Sequence, residues 1–253
     1  MILEIEALNF AYKKEKVLKD INLSAQKGEL ITLIGPNGSG KSTLLKCINN
    51  YLRAEQGEIK IKNQALESYS KRELAQIIAY VPQAAEMNFN LNVFETILMG
   101  RKPHSSWKAG DNDKKITAKV IAEMGLEELA FKEINNLSGG QRQKVFIARA
   151  AAQKAELILL DEPTNNLDLK HQLEIFNLIR KEVKNGKTAI VTMHDLSLVS
   201  RFSDRIIMLK DGRVFSDGND SSLSAASINS VYGVEVSLKE HNGKKIIIPE
   251  KVV

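Results

Sequence analysis

Gly35-Pro36-Asn37-Gly38-Ser39-Gly40-Lys41-Ser42-Thr43 decides how the rest of this chain is read. An apolar run, Leu30 to Ile34, leads into it, and Leu44 to Ile48 follows with the character of a helix. A buried strand, a glycine-rich turn and a helix start, spaced G-x-x-x-x-G-K-S, make a phosphate-binding loop. The N–H groups of such a loop curl round a phosphate that also meets the positive end of the helix dipole. Gly35, Gly38 and Gly40 are expected to let the backbone turn tightly and approach the ligand with no Cβ in the way. Lys41 is expected to reach the β- and γ-phosphates, and the Ser42 hydroxyl to ligate Mg²⁺. A random chain of this size carries the pattern roughly once in a hundred at average residue usage, so the loop is read as a nucleotide site.

With 253 residues the chain exceeds a typical single domain, and one large or two joined lobes are expected. The only cysteine, Cys47, rules out an internal disulfide and fits a reducing compartment. Its position in the helix after the loop suits a small apolar core residue. No apolar run approaches the ~20 residues that span a bilayer. Met1-Ile-Leu-Glu-Ile-Glu6 lacks the basic region and cleavage site of a signal peptide, so a soluble, cytosolic protein is expected. The net charge of +5 is mild and dispersed, arguing for neither nucleic acid nor an anionic lipid surface.

Residues 2–10 and 17–23 carry strand-like apolar positions, and Gly57 to Lys62 alternates cleanly. Together they predict an antiparallel sheet around the phosphate-loop strand. Tyr12 is placed in the polar turn between the first two strands, where it either stacks on an adenine ring or is plain surface tyrosine. A short helix over 71–76 and a buried strand over 77–81 follow, and Gln83 comes just after that strand's C-terminal end. From about 84 to 155 strand signals disappear. Val93 to Met99 reads as a helix stopped by Gly100, and Asp111 to Met124 as another, with Asp111 or Asp113 as N-cap and Gly125 as stop. An alanine-rich helix runs from Arg142 to Gln153. Buried strands at 157–160 and 188–192, an amphipathic helix at 169–184 and a hairpin turning at Asp211-Gly212 restore the α/β pattern. The tail, 234–253, holds two β-like pieces around His241-Asn-Gly-Lys244.

Asp161 ends an apolar strand, the position from which a carboxylate holds Mg²⁺. Glu162 is the next residue, so its side chain points elsewhere and is placed to polarise an attacking water. His194 also ends a strand, on the edge expected for the phosphate loop, Gln83 and Asp161, and this favours a γ-phosphate contact. The other histidines, His104, His171 and His241, have no such placement and no assigned role. No Asn-Lys-x-Asp run reads guanine.

At Leu137-Ser-Gly-Gly-Gln141 the chain resembles the ATP-binding subunits of ABC transporters, over nearly its whole length. The resemblance covers an aromatic at Tyr12, the Walker A loop 35–43, the Q-loop Gln83, the signature 137–141 and Walker B at 157–162. It continues through the D-loop Asn166-Leu-Asp168 and the switch His194. It implies an α/β P-loop NTPase (RecA-like) core with an antiparallel β subdomain and an inserted α-helical subdomain. The implied plan is 1–84 with 156–233 as ATP-binding core, 85–155 as helical signature subdomain and 234–253 as tail. ATP and Mg²⁺ are the implied cofactors: Ser42, Gln83 and Asp161 ligate the metal, Glu162 is the general base, and His194 positions water and γ-phosphate. Ser138, Gly139, Gly140 and Gln141, with Asp168, are implied to meet nucleotide held by a second copy. Ser138 and two glycines opening a helix do make a second anion site, and one chain with one of each site pairs head-to-tail as a C2 dimer.

The runs Val93 to Arg101, Asn166 to Leu173 and Val231-Tyr-Gly-Val234 are similar to the subgroup serving iron–siderophore, haem and cobalamin importers. A few related members serve oxyanions such as molybdate. The implied partners are two integral-membrane permease subunits and, indirectly, a substrate-binding protein, at the cytoplasmic face of the membrane. The segment 84–107 would receive a permease helix, with Phe89, Phe94 and Trp107 either on that contact or in the helical core. A soluble ABC ATPase acting on nucleic acid would carry coiled coils or two cassettes, and a nucleotide kinase has no use for the signature.

Overall fold

The computed structural model describes residues 1–83, 90–105 and 108–253. The chain runs through β1 (Leu3–Tyr12), β2 (Glu15–Ala25), β3 (Leu30–Ile34), α1 (Lys41–Ile48), β4 (Gln56–Ile61), β5 (Gln64–Ala65), α2 (Lys71–Ile77) and β6 (Ile78–Val81). Next come α3 (Val93–Leu98), α4 (Asp111–Glu123), α5 (Gly139–Gln153), β7 (Leu157–Leu160) and α6 (Leu169–Lys184). The last elements are β8 (Thr188–Thr192), α7 (Leu196–Phe202), β9 (Arg205–Lys210), β10 (Arg213–Gly218), α8 (Ala225–Tyr232), β11 (Val234–His241) and β12 (Lys244–Val252). By packing, the chain forms two compact units, Met1–Ser68 with Thr188–Val253, and Tyr69–Lys187.

In the first unit β2-β1-β4-β5 form an antiparallel sheet, separate from the strand that feeds the phosphate loop. Leu3, Ile5 and Leu8 are buried along β1, and a register break between Ile5 and Leu8 is held where Asn22 Oδ1 accepts the Ala7 N–H at 2.8 Å. Tyr12 is the last residue of β1, paired with Glu15, and not a turn residue. β3 lies parallel between β8 and β9, and β10 pairs antiparallel on β9. All five β3 residues are buried, as a strand covered on both faces requires. Asp211 and Gly212, at φ +49° and +79°, make the two-residue turn joining β9 to β10.

β11 and β12 form a hairpin whose turn is Asn242-Gly243, at φ +51° and +70°. The Lys245 N–H donates to Ser200 Oγ of α7 at 2.9 Å, and its ammonium to the carbonyls of Asp220 and Leu223 at 2.6 and 2.8 Å. The tail thus packs as part of the first unit. Tyr232, at the end of α8, is half-buried, and desolvation pushes its phenol up to about 12, against a smaller lowering by the backbone of Gly35.

In the second unit β6 and β7 are parallel neighbours, Val81 opposite Leu160. Gln153, ending α5, donates to the carbonyls of Ala75 and Ile78 at 2.6 and 2.8 Å, which ties the helical segment to α2 and β6. That tie groups β6 with the helices; β7 follows by pairing with β6, and α6 by packing on α5. α5 starts at Gly139, three residues before the expected Arg142, because Ser138 caps it. α4 has Gly110 as N-cap, not Asp111 or Asp113. Asp113 Oδ2 instead accepts the Gly110 N–H at 3.1 Å and the Ser105 hydroxyl at 2.7 Å, and Oδ1 accepts from buried Arg101 at 3.1 Å. Gly100 does not stop α3, since a 3₁₀ turn carries on to Arg101. A Cβ there would lie 2.3 Å from the Arg149 carbonyl oxygen, so Gly100 marks a close approach to α5. Phe89 and Trp107 lie outside the described residues, and Phe94 is half-buried on α3.

Candidate functional site

β3 delivers Gly35 to the edge of the first unit's sheet, and the backbone turns there at φ +149°. A Cβ on Gly35 would sit 2.2 Å from the Leu209 carbonyl oxygen of β9, and one on Gly40 would sit 2.7 Å from Leu18 Cδ2. Gly38 faces open space. Two of the three glycines therefore exist for neighbours behind the loop rather than for a ligand in front of it. Lys41 is buried, and its ammonium donates to the carbonyls of Gly35 at 2.7 Å and Pro36 at 3.1 Å. Ser39 Oγ is buried without a hydrogen-bond partner, and no side chain caps α1, whose N-cap is Gly40. An orphaned hydroxyl, a buried cation and an uncapped helix start are what a bound phosphate would satisfy, so the residues present fit the polyphosphate of a nucleotide. Asn37 and Gly38 form the exposed rim, Pro36 and Ser42 are half-buried and Thr43 is buried.

His194 leaves the same sheet edge. Leu33 of β3 pairs with Thr192 of β8, so Gly35 and His194 each follow that pair by two residues. The Met193 N–H donates to the Leu33 carbonyl at 3.1 Å, and Asp195 caps α7. His194 is exposed. Tyr12 is also exposed and packs edge-on against Phe10, ring centroids 4.8 Å apart.

The second unit brings the carboxylates together with Gln83. The Asp161 N–H donates to the Val81 carbonyl at 2.9 Å, so Gln83 and Asp161 leave one edge of the β6–β7 pair. Asp161 is buried, and its Oδ2 accepts from the Tyr80 hydroxyl at 3.4 Å. Glu162 Oε2 accepts from Gln83 Nε2 at 2.5 Å and from Asn165 Nδ2 at 3.1 Å. Glu162 stands in the left-handed region at φ +47°. An L-residue pays roughly 1–2 kcal/mol there, the kind of strain that is kept where a side chain must be aimed.

Ser138 Oγ accepts the Gln141 N–H at 3.3 Å, and Gln141 Oε1 accepts the Ser138 N–H at 3.1 Å. This capping box uses the serine oxygen as acceptor and leaves its O–H proton available to donate. Asp168 caps α6 and accepts from the backbone and the ring of His171. Those two bonds hold its carboxyl below the usual carboxylate range.

Asn165 and Tyr80 were not singled out in the sequence, and His171 was given no role. Asn165 had a usable signal, three residues beyond a strand-end carboxylate. Tyr80 is placed by tertiary packing and had none; His171 had the same local signal toward Asp168, three residues before it, and only its contact with Gly140 comes from packing. Among the described residues no three His, Cys, Asp or Glu converge as a metal site, and no helix is long and apolar enough to cross a membrane. A Mg²⁺ held by one carboxylate, a hydroxyl and substrate phosphates would not form such a cluster.

The sequence pattern of the family described as ABC transporter matches residues 18–165, from β2 through the turn that carries Glu162 and Asn165. The iron(3+)-hydroxamate import ATP-binding protein FhuC of Bacillus subtilis (strain 168) is 42% identical over 219 residues, which are 85% of this chain and 81% of its own. A structure of a metal-chelate type ABC transporter in an inward-facing conformation superposes with a TM-score of 0.86 at 28% identity, covering 99% of this chain and 97% of that one. The dimeric cassette MJ0796 bound to ADP and Pi superposes at 0.76 with 33% identity, covering 86% of this chain and 98% of that one. Loop, carboxylate pair, signature turn and histidine thus sit in a chain whose likeness to these proteins extends well beyond its motifs: it belongs to the ABC transporter family.

Proposed function

We propose that this chain is the ATP-hydrolysing subunit of an importer that takes up a metal chelate of the iron–siderophore, haem or cobalamin type. One observation carries the cargo class. The MJ0796 cassette covers 86% of this chain, whereas the metal-chelate type transporter covers 99% of it. The name of the Bacillus subtilis relative, an iron(3+)-hydroxamate import protein, supports the same class.

In this reading Lys41 and the loop N–H groups bind the β- and γ-phosphates of ATP, and Tyr12 stacks on the base. Ser42, Gln83 and Asp161 would hold Mg²⁺, which would supply positive charge to offset the negative charge developing on the phosphates. Glu162 takes the proton from the attacking water, aimed by its bonds from Gln83 and Asn165. His194 orients that water and the γ-phosphate. Ser138 to Gln141, with Asp168, close on the nucleotide of a second copy, so two chains sandwich two ATPs and hydrolysis releases them. Two membrane permease subunits carry this pair at the cytoplasmic face of the membrane and receive cargo from a substrate-binding protein. The proposed domain plan is 1–84 with 156–233, then 85–155, then 234–253.

Deleting the chain's gene in its native host and measuring uptake of labelled ferric hydroxamate, haem, cobalamin and molybdate tests the assignment. Loss of one of the first three supports it. Loss confined to molybdate replaces the cargo, and unaltered uptake of all four removes the importer role.

A further inference from the structure

His171 stands at the third residue of α6 and touches two functional turns at once. Asp168 Oδ1 accepts its backbone N–H at 2.9 Å and lies 2.7 Å from ring Nδ1. An ionised carboxylate only accepts, so Nδ1 carries the proton of that bond. The ring's carbon edge closes on Gly140, in the first turn of α5. A Cβ added at Gly140 would lie 2.5 Å from His171 Cδ2, 2.6 Å from Cγ and 3.1 Å from Cβ. These are near atoms of the side chain, not a flexible tip, so the ring could not yield without leaving Asp168. Beside it, Leu167 Cδ2 lies 3.9 Å from the point a Cβ on Gly139 would occupy. One imidazole is therefore bonded to the turn that ends at Asp168 and pressed on the backbone of the turn that opens α5.

We propose that His171 is a positioning residue, which locks the Ser138–Gln141 turn and the Asn166–Asp168 turn into one register for closure on the second copy's ATP. The proposal rests on the ATP-sandwich reading above. Serine 138's hydroxyl and the α5 amides recognise a γ-phosphate only at hydrogen-bond distance, and a displacement of about 1 Å can cost a hundredfold in rate. His171 fixes the height of those donors relative to Asp168. Its bonds and contacts lie on the Asp168 and Gly140 turns, so nucleotide bound at the phosphate loop of the same copy is not expected to sense it.

The test uses the full-length chain carrying Glu162→Gln, with ATP and Mg²⁺, and dimer fraction measured by light scattering. His171→Asn keeps a donor for Asp168 and removes the ring; His171→Phe keeps the ring and removes the donor. Each is expected to raise the ATP concentration needed for closure about tenfold, and in the wild-type background to lower kcat by a similar factor. Affinity of the monomer for a fluorescent ATP analogue should stay unchanged. Gly140→Ala should impair closure as severely, by driving the ring off. In a His171→Ala background it should add almost nothing, because the space is then open. Histidine variants that close at the parental ATP concentration overturn the proposal, as does full additivity of Gly140→Ala and His171→Ala. Variants that lose folding cooperativity as well as closure also overturn it, since His171 is then structural only. A Glu162→Gln parent that stays monomeric at every ATP concentration overturns the sandwich reading, and this proposal with it.

Discussion

Gln83 donates its side-chain N–H to Glu162 Oε2 at 2.5 Å, joining the segment after β6 to the carboxylate after β7. The two residues are 79 positions apart, and the parallel β6–β7 register brings them together. A glutamine that aims the proposed base and also helps hold Mg²⁺ acts first on the rate and second on nucleotide affinity. Gln83→Ala should therefore lower kcat by about tenfold to a hundredfold, with a smaller rise in the KM for ATP. Steady-state ATPase assays over a range of ATP read this directly. A rise in KM at constant kcat would show that Gln83 serves binding instead.

Glu162→Gln removes the proposed base but keeps the volume and a partner for Asn165. ATP turnover should fall at least about a hundredfold, the usual contribution of a general base. The ATP-bound dimer should accumulate and be visible by light scattering. A variant that hydrolyses ATP at the parental rate would remove Glu162 from the mechanism.

Lys41→Ala and Gly35→Ala separate the loop's chemistry from its scaffolding. Lys41→Ala should abolish ATP binding with little loss of thermal stability, since the ammonium it deletes bonds to the loop's own Gly35 and Pro36 carbonyls. Gly35→Ala forces a methyl into the Leu209 carbonyl, and overpacking of this kind costs about 1–3 kcal/mol. It should lose both ATP binding and melting temperature. Calorimetry for binding and for melting tells the two apart.

Arg101 and Asp113 form a buried ion pair within the helical segment. The Ser105 hydroxyl foremost, then Arg101 and the Gly110 N–H, hold the Asp113 carboxyl below the usual carboxylate range. With the folded value beneath the unfolded one, the stabilisation is complete above about pH 4. It is lost as pH falls through the folded value. Arg101→Met should cost about 3–5 kcal/mol at neutral pH, because it strands a buried charge. Asp113→Asn should flatten the acid limb of the melting-temperature profile relative to the parent. Thermal melts across the acid range check both.

Cys47 is buried in α1, and burial pushes its thiol up to about 12. Iodoacetamide at about pH 8 meets almost no thiolate at such a site. Labelling followed by mass spectrometry should find Cys47 unmodified in the native protein and modified once it is unfolded.

The strands that carry the site were legible because they are continuous apolar runs closed by chemistry-bearing residues: Leu30 to Ile34 before Gly35, Leu157 to Leu160 before Asp161, Thr188 to Thr192 before His194. A central parallel strand has no polar face to confuse the reading. Helices α7 and α8 escaped it. Both are short, and their start signals, Asp195 and Ser224 as caps, are residues common in any loop. Gly100 was misread for a deeper reason. A glycine that admits a neighbouring backbone has the same letter as one that ends a helix, and only the Arg149 carbonyl tells them apart. Tyr80, and the packing of His171 on Gly140, were invisible on the same ground, since those partners lie elsewhere in the fold.

The glycines of the phosphate loop carry one more consequence. Leu209 and Leu18 hold the loop's shape from behind, so nucleotide meets a cradle already built and pays little ordering entropy on arrival. A cradle of that kind accepts the β-phosphate of ADP as readily as that of ATP. Apart from what Lys41 gains by reaching the γ-phosphate, the loop then discriminates little between fuel and spent product. Telling them apart, and timing the departure of ADP, falls to whatever senses the last phosphate alone.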